Sequence, residues 1–406
     1  QRTKRGGIWY TPQSGIWQTV WMEWVPEAYI QRVRLIPDID RGELELTVFA
    51  SRPGEGTAVL QGERFAFTVG TPVRLPVRDQ RLWSPDDPWL YSLELHFGED
   101  RVESYFAMRK TEVRAGKDGV RRLYLNNRPC FHNGLLDQGY WPDGLYTAPA
   151  DEAMIFDLQT AKKLGYNMLR KHIKVEPMRW YYHCDRLGLL VWQDMPNGDQ
   201  GPQWQMHNYF NGAEKHRSAE SEANFRKEWK EIIDCLYSVP SIGVWVPFNE
   251  AWGQFKAPEI SEWTKAYDPS RLVNPASGGN HYLTGDILDT HHYPHPRMTL
   301  LDTNRATVLG EYGGIGLVMK EHLWEPDRNW GYVRLNSPKE VTDEYEKYAD
   351  MLYKLIGRGF AAAVYTQTTD VEVEVNGLMT YDRKVMKVEP ERIRRINERI
   401  CNALNK

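Results

Sequence analysis

At 406 residues the chain exceeds what one ordinary core fills, which predicts two or three domains. Its 51 Lys and Arg against 55 Asp and Glu leave a net charge of −4 with the signs interspersed, which gives no footprint for nucleic acid or an anionic membrane and favours a neutral or weakly charged ligand. No run of about 18 apolar residues occurs, and Gln1 to Gly7 lack the apolar core of a signal peptide, so a soluble chain without a membrane span is expected.

Over the first 25 residues Ile8, Trp9, Ile16, Trp17, Val20 and Trp24, interrupted by Gly6, Gly7, Pro12 and Gly15, predict one or two strands and a turn, too little for a domain. Between Ala28 and Val113 apolar residues alternate with polar ones in Leu44, Leu46, Val48 and in Tyr91, Leu93, Leu95, Phe97, the period of half-buried strands. Turn signals at Arg41-Gly42, Pro53-Gly54 and Pro85-Asp86-Asp87-Pro88 separate these runs, which predicts an immunoglobulin-like β-sandwich over 28–113.

From residue 114 onward apolar strands alternate with helix-period segments, the texture of a parallel α/β unit. Residues 114–406 suit a (β/α)8 TIM barrel, ordinarily about 250 residues plus insertions. The expected strands are Cys130 to Leu136, Asn167 to His172, Leu189 to Asp194, Ile242 to Phe248, Leu272 to Ser277, Ile287 to His291, Thr307 to Leu309 and Ala361 to Thr366. Expected helices include Asp151 to Leu164 and Glu340 to Ile356. No glycine-rich phosphate loop follows the first strand, which argues against a doubly wound open sheet. Cys130, Cys184, Cys235 and Cys401 match neither a metal spacing nor a disulfide framework and read as mostly buried thiols. Aromatic residues make up 12% of the chain, a weak pointer to carbohydrate because sandwich cores use the same residues.

Barrel enzymes place their chemistry at the C-terminal ends of the strands. Two glutamates end expected strands. The run from Ile242 to Phe248 stops in Asn249-Glu250 and passes into Ala251-Trp252-Gly253, and Thr307-Val308-Leu309-Gly310 stops in Glu311. The dipeptide alone means little, since Asn397-Glu398 repeats it in a polar helix. A carboxyl held in apolar, aromatic surroundings at a barrel mouth is different, because desolvation lifts its pKa and creates a general acid. Two such groups facing each other suit glycoside hydrolysis, with retention or inversion set by their separation.

Several segments now bear on family. Gly15-Ile16-Trp17-Gln18-Thr19-Val20-Trp21, Leu82-Trp83-Ser84-Pro85-Asp86-Asp87-Pro88-Trp89-Leu90-Tyr91, Phe106-Ala107-Met108-Arg109-Lys110 and Asn167-Met168-Leu169-Arg170-Lys171-His172 resemble, in order, the last strand of the sugar-binding jelly roll, a sandwich signature, the barrel entry and the second barrel strand of glycoside hydrolase family 2. That family comprises β-galactosidases, β-glucuronidases and β-mannosidases. The resemblance covers essentially the whole chain and implies that 1–27 is a C-terminal jelly-roll remnant, 28–113 the immunoglobulin-like sandwich and 114–406 the catalytic barrel. With most of the jelly roll missing, an apolar face near Trp9, Trp17 and Trp21 would be bared and invite association into a homo-oligomer.

The resemblance makes Glu250 the acid/base and Glu311 the nucleophile of a retaining exo-β-glycosidase, with Asn249 on the sugar hydroxyl next to the reacting carbon. Arg170 and His172 would point at the site, Arg170 keeping Glu311 ionised. Asp289-Thr290-His291-His292-Tyr293-Pro294 follows the sixth strand, where the family often places a tyrosine or histidine against the nucleophile, and His292 and Tyr293 are candidate substrate contacts there. Trp192, Asp194, Trp252, Tyr365 and Gln367 are candidate sugar contacts. His291, His292 and His295 lie close enough in sequence to suggest zinc, but Pro294 and Pro296 break the spacing of a paired-histidine site, so no metal and no cofactor are expected. The eighth strand, Val364-Tyr365-Thr366-Gln367-Thr368-Thr369, departs from the tryptophan-bearing segment of familiar members. No Asn-x-Lys element occurs anywhere, which disfavours a uronic acid, and Phe248 before Asn249 departs from the mannosidase pattern. β-Galactoside-like substrates lead; a β-glucuronide, β-galacturonide, β-mannoside or pentoside is the alternative, and an inactive carbohydrate-binding protein is the alternative of another class. A polysaccharide-degrading bacterium, with the full-length protein periplasmic or extracellular, would fit.

Overall fold

A computed structural model describes residues 5–197, 199–206, 210 and 212–405. Seven strands after residue 29 form two antiparallel sheets around one apolar core. Ile30–Asp38, Glu43–Ala50 and Val73–Pro76 make the first, and Glu63–Thr68, Glu55–Leu60, Tyr91–Phe97 and Asp100–Phe106 the second. The alternation read from sequence sets this core, since Leu44, Leu46, Val48, Leu93 and Leu95 are all fully buried while Glu45, Ser92 and Glu94 are more exposed, Thr47 being the buried exception. A hairpin of Thr111–Ala115 and Arg121–Leu125 follows and sends Leu123 into the barrel interior.

Eight parallel strands form the barrel: β1 His132–Asp137, β2 Met168–Lys171, β3 Leu190–Asp194, β4 Ile242–Val246, β5 Leu272–Val273, β6 Ile287–His291, β7 Ala306–Gly313 and β8 Phe360–Thr366. They are ordered β5-β4-β3-β2-β1-β8-β7-β6, and a parallel bridge between Gly278 and Thr290 nearly closes the remaining gap. Helices α1 Asp151–Lys163, α2 Met178–Leu187, α3 Ala219–Leu236, α4 Ala257–Tyr267, α5 Pro338–Arg358 and α6 Pro390–Cys401 wrap it. Helix α5 starts two residues before the expected Glu340, because the Ser337 hydroxyl accepts from the Glu340 N–H and Pro338 fits the first helical turn.

Strand periodicity sorts the barrel into two cores. Met168, Trp192, Val244, Val246, Ala362 and Val364 pack inside it, whereas Leu169, Val191, Trp245, Ala363 and Tyr365 face the helices. No described helix is long and apolar enough to cross a membrane. All four cysteines are free; burial pushes up the thiol pKa of Cys130, Cys184 and Cys401, in line with mostly buried thiols, while Cys235 is an exposed residue.

The amino-terminal expectation needs correction. Residues 1–4 lie outside the described part, and among residues 5–29 the only ladder pairing is the Gly6–Trp9 bridge, with no strand of length. Among the described residues no strand pairs with this segment to take the backbone hydrogen bonds a strand requires. Instead the segment runs across the C-terminal face of the barrel. Trp9 packs on Trp252 and Trp17 on Tyr146, so neither ring is bared as expected, while Trp21 remains 71% exposed.

Candidate active site

The site is built from the ends of β2, β3, β4, β6 and β7, where strand parity decides which side chains converge. From β2, Arg170 lies wholly buried beneath the mouth. Its Nε and Nη2 donate to Asp194 at 3.1 and 3.0 Å, Nη2 also donates to Asn249 Oδ1 at 2.7 Å, and Nη1 reaches the Gly310 carbonyl at 3.2 Å and Glu311 Oε1 at 3.4 Å. Burial alone would lower its pKa, but the Asp194, Glu311 and Asp289 carboxylates hold it protonated and raise it.

Glu250 follows β4 with φ +47°, and Ala251 has φ +61°, so two consecutive non-glycine residues occupy the left-handed region at the point where the carboxyl enters the site. Glu311 lies in β7. Gly310 before it is dictated by packing: a Cβ there would stand 2.1 Å from an Asp289 carboxylate oxygen. Tyr293 donates to Glu311 Oε2 at 2.8 Å, shares a 2.6 Å hydrogen bond with the Thr366 hydroxyl and stacks on Tyr332 with ring centroids 3.9 Å apart.

His291 stands between the glutamates. Its Nδ1 is 2.9 Å from Glu250 Oε1 and 3.5 Å from Glu311 Oε2, and its Nε2 is 2.8 Å from Ser277 Oγ. One ligand atom each from Glu250, His291 and Glu311 lie within 4.8 Å of one another, a donor set a metal ion or a shared proton would satisfy equally.

The hydrogen-bond polarity here follows from the donors available. Asp289 as a carboxylate only accepts, so Ser277, 2.6 Å away, gives it its one hydroxyl proton. With that proton spent, the Ser277 oxygen accepts from His291 Nε2–H at 2.8 Å, the shorter of the two contacts of that nitrogen, the other being Arg170 Nη1 at 3.4 Å. Burial keeps His291 neutral by lowering its pKa, partly opposed by Glu311 and Asp289, so Nδ1 carries a lone pair and accepts from Glu250. Glu250 is thereby the protonated partner. Burial lifts both glutamates to about 7; Arg170 opposes the rise at Glu250, and His291, Arg170 and Tyr293 oppose it at Glu311 while Glu250 adds to it.

Two buried polar atoms here lack a hydrogen bond among the described residues, Asn249 Nδ2 and His172 Nε2. The latter is 3.6 Å from Glu311 Oε1, its ring held by Gln138 at Nδ1, and burial drives its pKa far down. Both are available to substrate hydroxyls.

Of the sequence-predicted residues, Glu250, Glu311, Asn249, Arg170, His172, Asp194 and Tyr293 form one cluster, and Trp252 borders it through His172, with ring centroids 5.9 Å apart. The others go elsewhere. Trp192 is a core residue of the barrel interior, bonded to His132, because it lies two residues deeper on the face that ends in Asp194. Tyr365 faces outward against Tyr312 and Tyr345. Gln367 is fully buried and tied to Asn376 at 2.7 Å. His292 turns toward His295, whose carbonyl lies 2.7 Å from its Nδ1. Sequence reasoning named the segment from Asp289 to Pro294 without singling out His291 or Asp289, and it missed Ser277; the period-2 face Ile287, Asp289, His291 was the available signal.

Solved structures with the same fold include an FMN-binding beta-glucuronidase from Facaelibacterium prausnitzii L2-6, 19% identical, with TM-score 0.68 over 94% of this chain and 64% of that one. A beta-D-glucuronidase for Dictyoglomus thermophilum is 15% identical, with TM-score 0.71 over 92% and 69%. In sequence, a beta-galactosidase of Leuconostoc mesenteroides subsp. mesenteroides is 28% identical over 53% of this chain, and one of Halalkalibacterium halodurans is 27% identical over 66%. The matched parts span only 20% and 29% of those proteins' own length. Residues 119–396 match the model described as glycosyl hydrolases family 2, TIM barrel domain, and the chain belongs to that family.

Proposed function

We propose that the protein is a retaining exo-β-glycosidase in which Glu250 is the acid/base and Glu311 the nucleophile. The observation that carries this reading is the approach of one oxygen of each carboxyl to within 4.8 Å. Retaining enzymes hold the two groups ~5–5.5 Å apart, whereas inverting ones need ~6.5–9.5 Å to admit a water. A Glu311 oxygen attacks the anomeric carbon as the bond to the leaving oxygen breaks, and Glu250 gives its proton to that oxygen. Water then loses a proton to Glu250, bonds to the same carbon and expels the Glu311 carboxylate, so two inversions give retention. Arg170 and Tyr293 favour the ionised nucleophile, and the unbonded Asn249 Nδ2 is placed to donate to the neighbouring sugar hydroxyl.

An uncharged sugar fits best. A cavity of about 400 Å³ beside Glu250 is walled by Trp9, Trp204, Trp252 and Tyr332 with Asp199, and no lysine or arginine is among its described lining residues. That cavity lies on the acid's side, so a uronate is disfavoured instead by the absence of any Asn-x-Lys element from the sequence. β-Galactosides lead, in keeping with the beta-galactosidase names of the sequence relatives; other neutral sugars are the second choice. We also read the two-sheet unit over 28–113 as immunoglobulin-like and 114–406 as the catalytic domain.

Aryl glycosides of several sugars, assayed with the parent chain beside Glu250→Gln and Glu311→Gln, test this. Glu311→Gln should lose at least about 10⁴-fold in kcat, and Glu250→Gln should lose most on poor leaving groups. Unchanged rates in both variants would leave the inactive carbohydrate-binding reading standing.

A further inference from the structure

The amino-terminal segment is anchored across the barrel mouth by several hydrogen bonds. The Tyr10 hydroxyl donates to Glu374 at 2.7 Å, the Thr11 N–H to Glu372 at 2.6 Å, the Tyr146 N–H to Gln13 Oε1 at 3.1 Å, and the Thr147 hydroxyl to the Trp17 carbonyl at 2.6 Å. Ahead of these anchors a tight turn, closed by Gly6–Trp9 hydrogen bonds in both directions and made possible by Gly7 at φ +58°, fixes where Trp9 is presented. The Trp9 ring packs on Trp252 at 4.8 Å, and Trp252 in turn packs on His172 beside Glu311. Trp9 and Trp252 are therefore one continuous aromatic wall running out from the carboxylates.

That wall lines the same cavity as Glu250, whereas Glu311, Asn249 and Arg170 are absent from its lining. The cavity thus lies on the acid's side of the site. An acid delivers its proton to the leaving oxygen, so the space beyond it receives the leaving group. We propose that Trp9 and Trp252 form a leaving-group subsite for an uncharged ring with an apolar face, either an aryl aglycone or a second sugar. Stacking on tryptophan suits such a ring, and the described lining residues, with Asp199 and Glu250 as their carboxyl groups, include no lysine or arginine to hold an anionic one. This rests on the glycosidase reading of Glu250 and extends it to a residue far off in sequence.

The test compares parent, Trp9→Ala and Trp9→Phe in the full chain on three substrates of one sugar: β-D-galactosyl fluoride, phenyl β-D-galactoside and lactose. Trp9→Ala should lower kcat/KM about 10-fold or more on one or both ring-bearing substrates, which says whether the aryl or the glycosyl ring is the natural occupant, and change the fluoride less than 2-fold. Trp9→Phe should recover most of the loss. Equal loss on all three, or loss on neither ring, would overturn the subsite. Calorimetric binding of phenyl and methyl β-D-thiogalactoside reads the same question without turnover. A parent that prefers the phenyl compound and a Trp9→Ala that loses the preference uphold the subsite even if nothing is hydrolysed, an outcome that would sink the catalytic reading alone. A parent with no phenyl preference sinks the subsite.

Discussion

Burial lifts Glu250 and Glu311 alike to about 7, yet their neighbours treat them differently. Glu311 accepts a hydrogen bond from the Tyr293 hydroxyl and faces Arg170, both of which favour its charged form, whereas Glu250 faces a histidine whose lone pair favours its neutral form. The groups around His291 are the carboxyls of Glu250, Glu311, Asp289 and Asp194, the Arg170 guanidinium, the Ser277 hydroxyl, and the His172, His281 and Trp204 rings. The proposed mechanism needs Glu250 protonated and Glu311 ionised, hence kcat/KM should follow a bell, with its alkaline limb falling as Glu250 loses its proton near 7. His291→Ala removes the acceptor that stabilises the protonated form and admits water, and both effects lower the Glu250 pKa. A hydrogen bond worth about 0.5–1.5 kcal/mol moves it by roughly half to one unit. The alkaline limb of the pH profile should shift down by that amount while the acid limb moves less; an unmoved alkaline limb would remove His291 from the role.

At the scale of elements, the seam between β6 and β7 places three of the site's groups and tolerates no added atom. Asp289 accepts from Asn274 at 2.6 Å, Ser277 at 2.6 Å and the Gly310 N–H at 2.7 Å, so its carboxylate cannot move aside for a side chain at 310. Gly310→Ala should therefore part the strands, costing about 2–3 kcal/mol by denaturation and more than 100-fold in kcat, because Glu311 and His291 shift relative to each other. Near-parent activity in this variant would mean the seam is looser than the packing implies. Such seams explain what was legible beforehand. β4 and β7 stood out because apolar runs end abruptly in acids, and Ile287–His291 was read with the right bounds. Side-chain direction was not read with equal care: one period-2 step turns Tyr365 outward toward α5, and two residues of depth bury Trp192 below the mouth. The route of residues 5–27 was illegible for another reason, since its contacts with Trp252, Glu372 and Glu374 join positions more than 200 residues apart that no local pattern couples.

Across the whole molecule, the two-sheet unit and the barrel keep separate apolar cores but meet at the barrel's far end, opposite the glutamates. Trp83 joins the barrel's interior core and donates its indole N–H to the Asp185 carbonyl at 2.8 Å, and the Tyr105 hydroxyl donates to the Asp185 carboxylate at 2.8 Å. Arg109, in the link from the last sandwich strand, is the central clasp. It is only 3% exposed and donates to the carbonyls of Pro240 at 2.9 Å, Ser270 at 3.1 Å and Ile242 at 2.9 Å, all on the barrel floor. Burial, with the nearby Arg271 adding to it and Asp268 and Asp185 opposing it, lowers its pKa to about 9, so the guanidinium is charged at neutral pH and its buried N–H groups are met by those carbonyls. Arg109→Met fills similar volume but leaves three buried acceptors without that donor, a loss of about 2–4 kcal/mol. If the clasp couples the two cores, the parent should unfold in one calorimetric transition and the variant in two, the earlier one several degrees lower, with kcat/KM at 25 °C within a few-fold because the floor lies a barrel's length from Glu250 and Glu311. A single transition at the parent's temperature would show instead that apolar contact through Trp83 joins the units and that the guanidinium contributes nothing to their coupling.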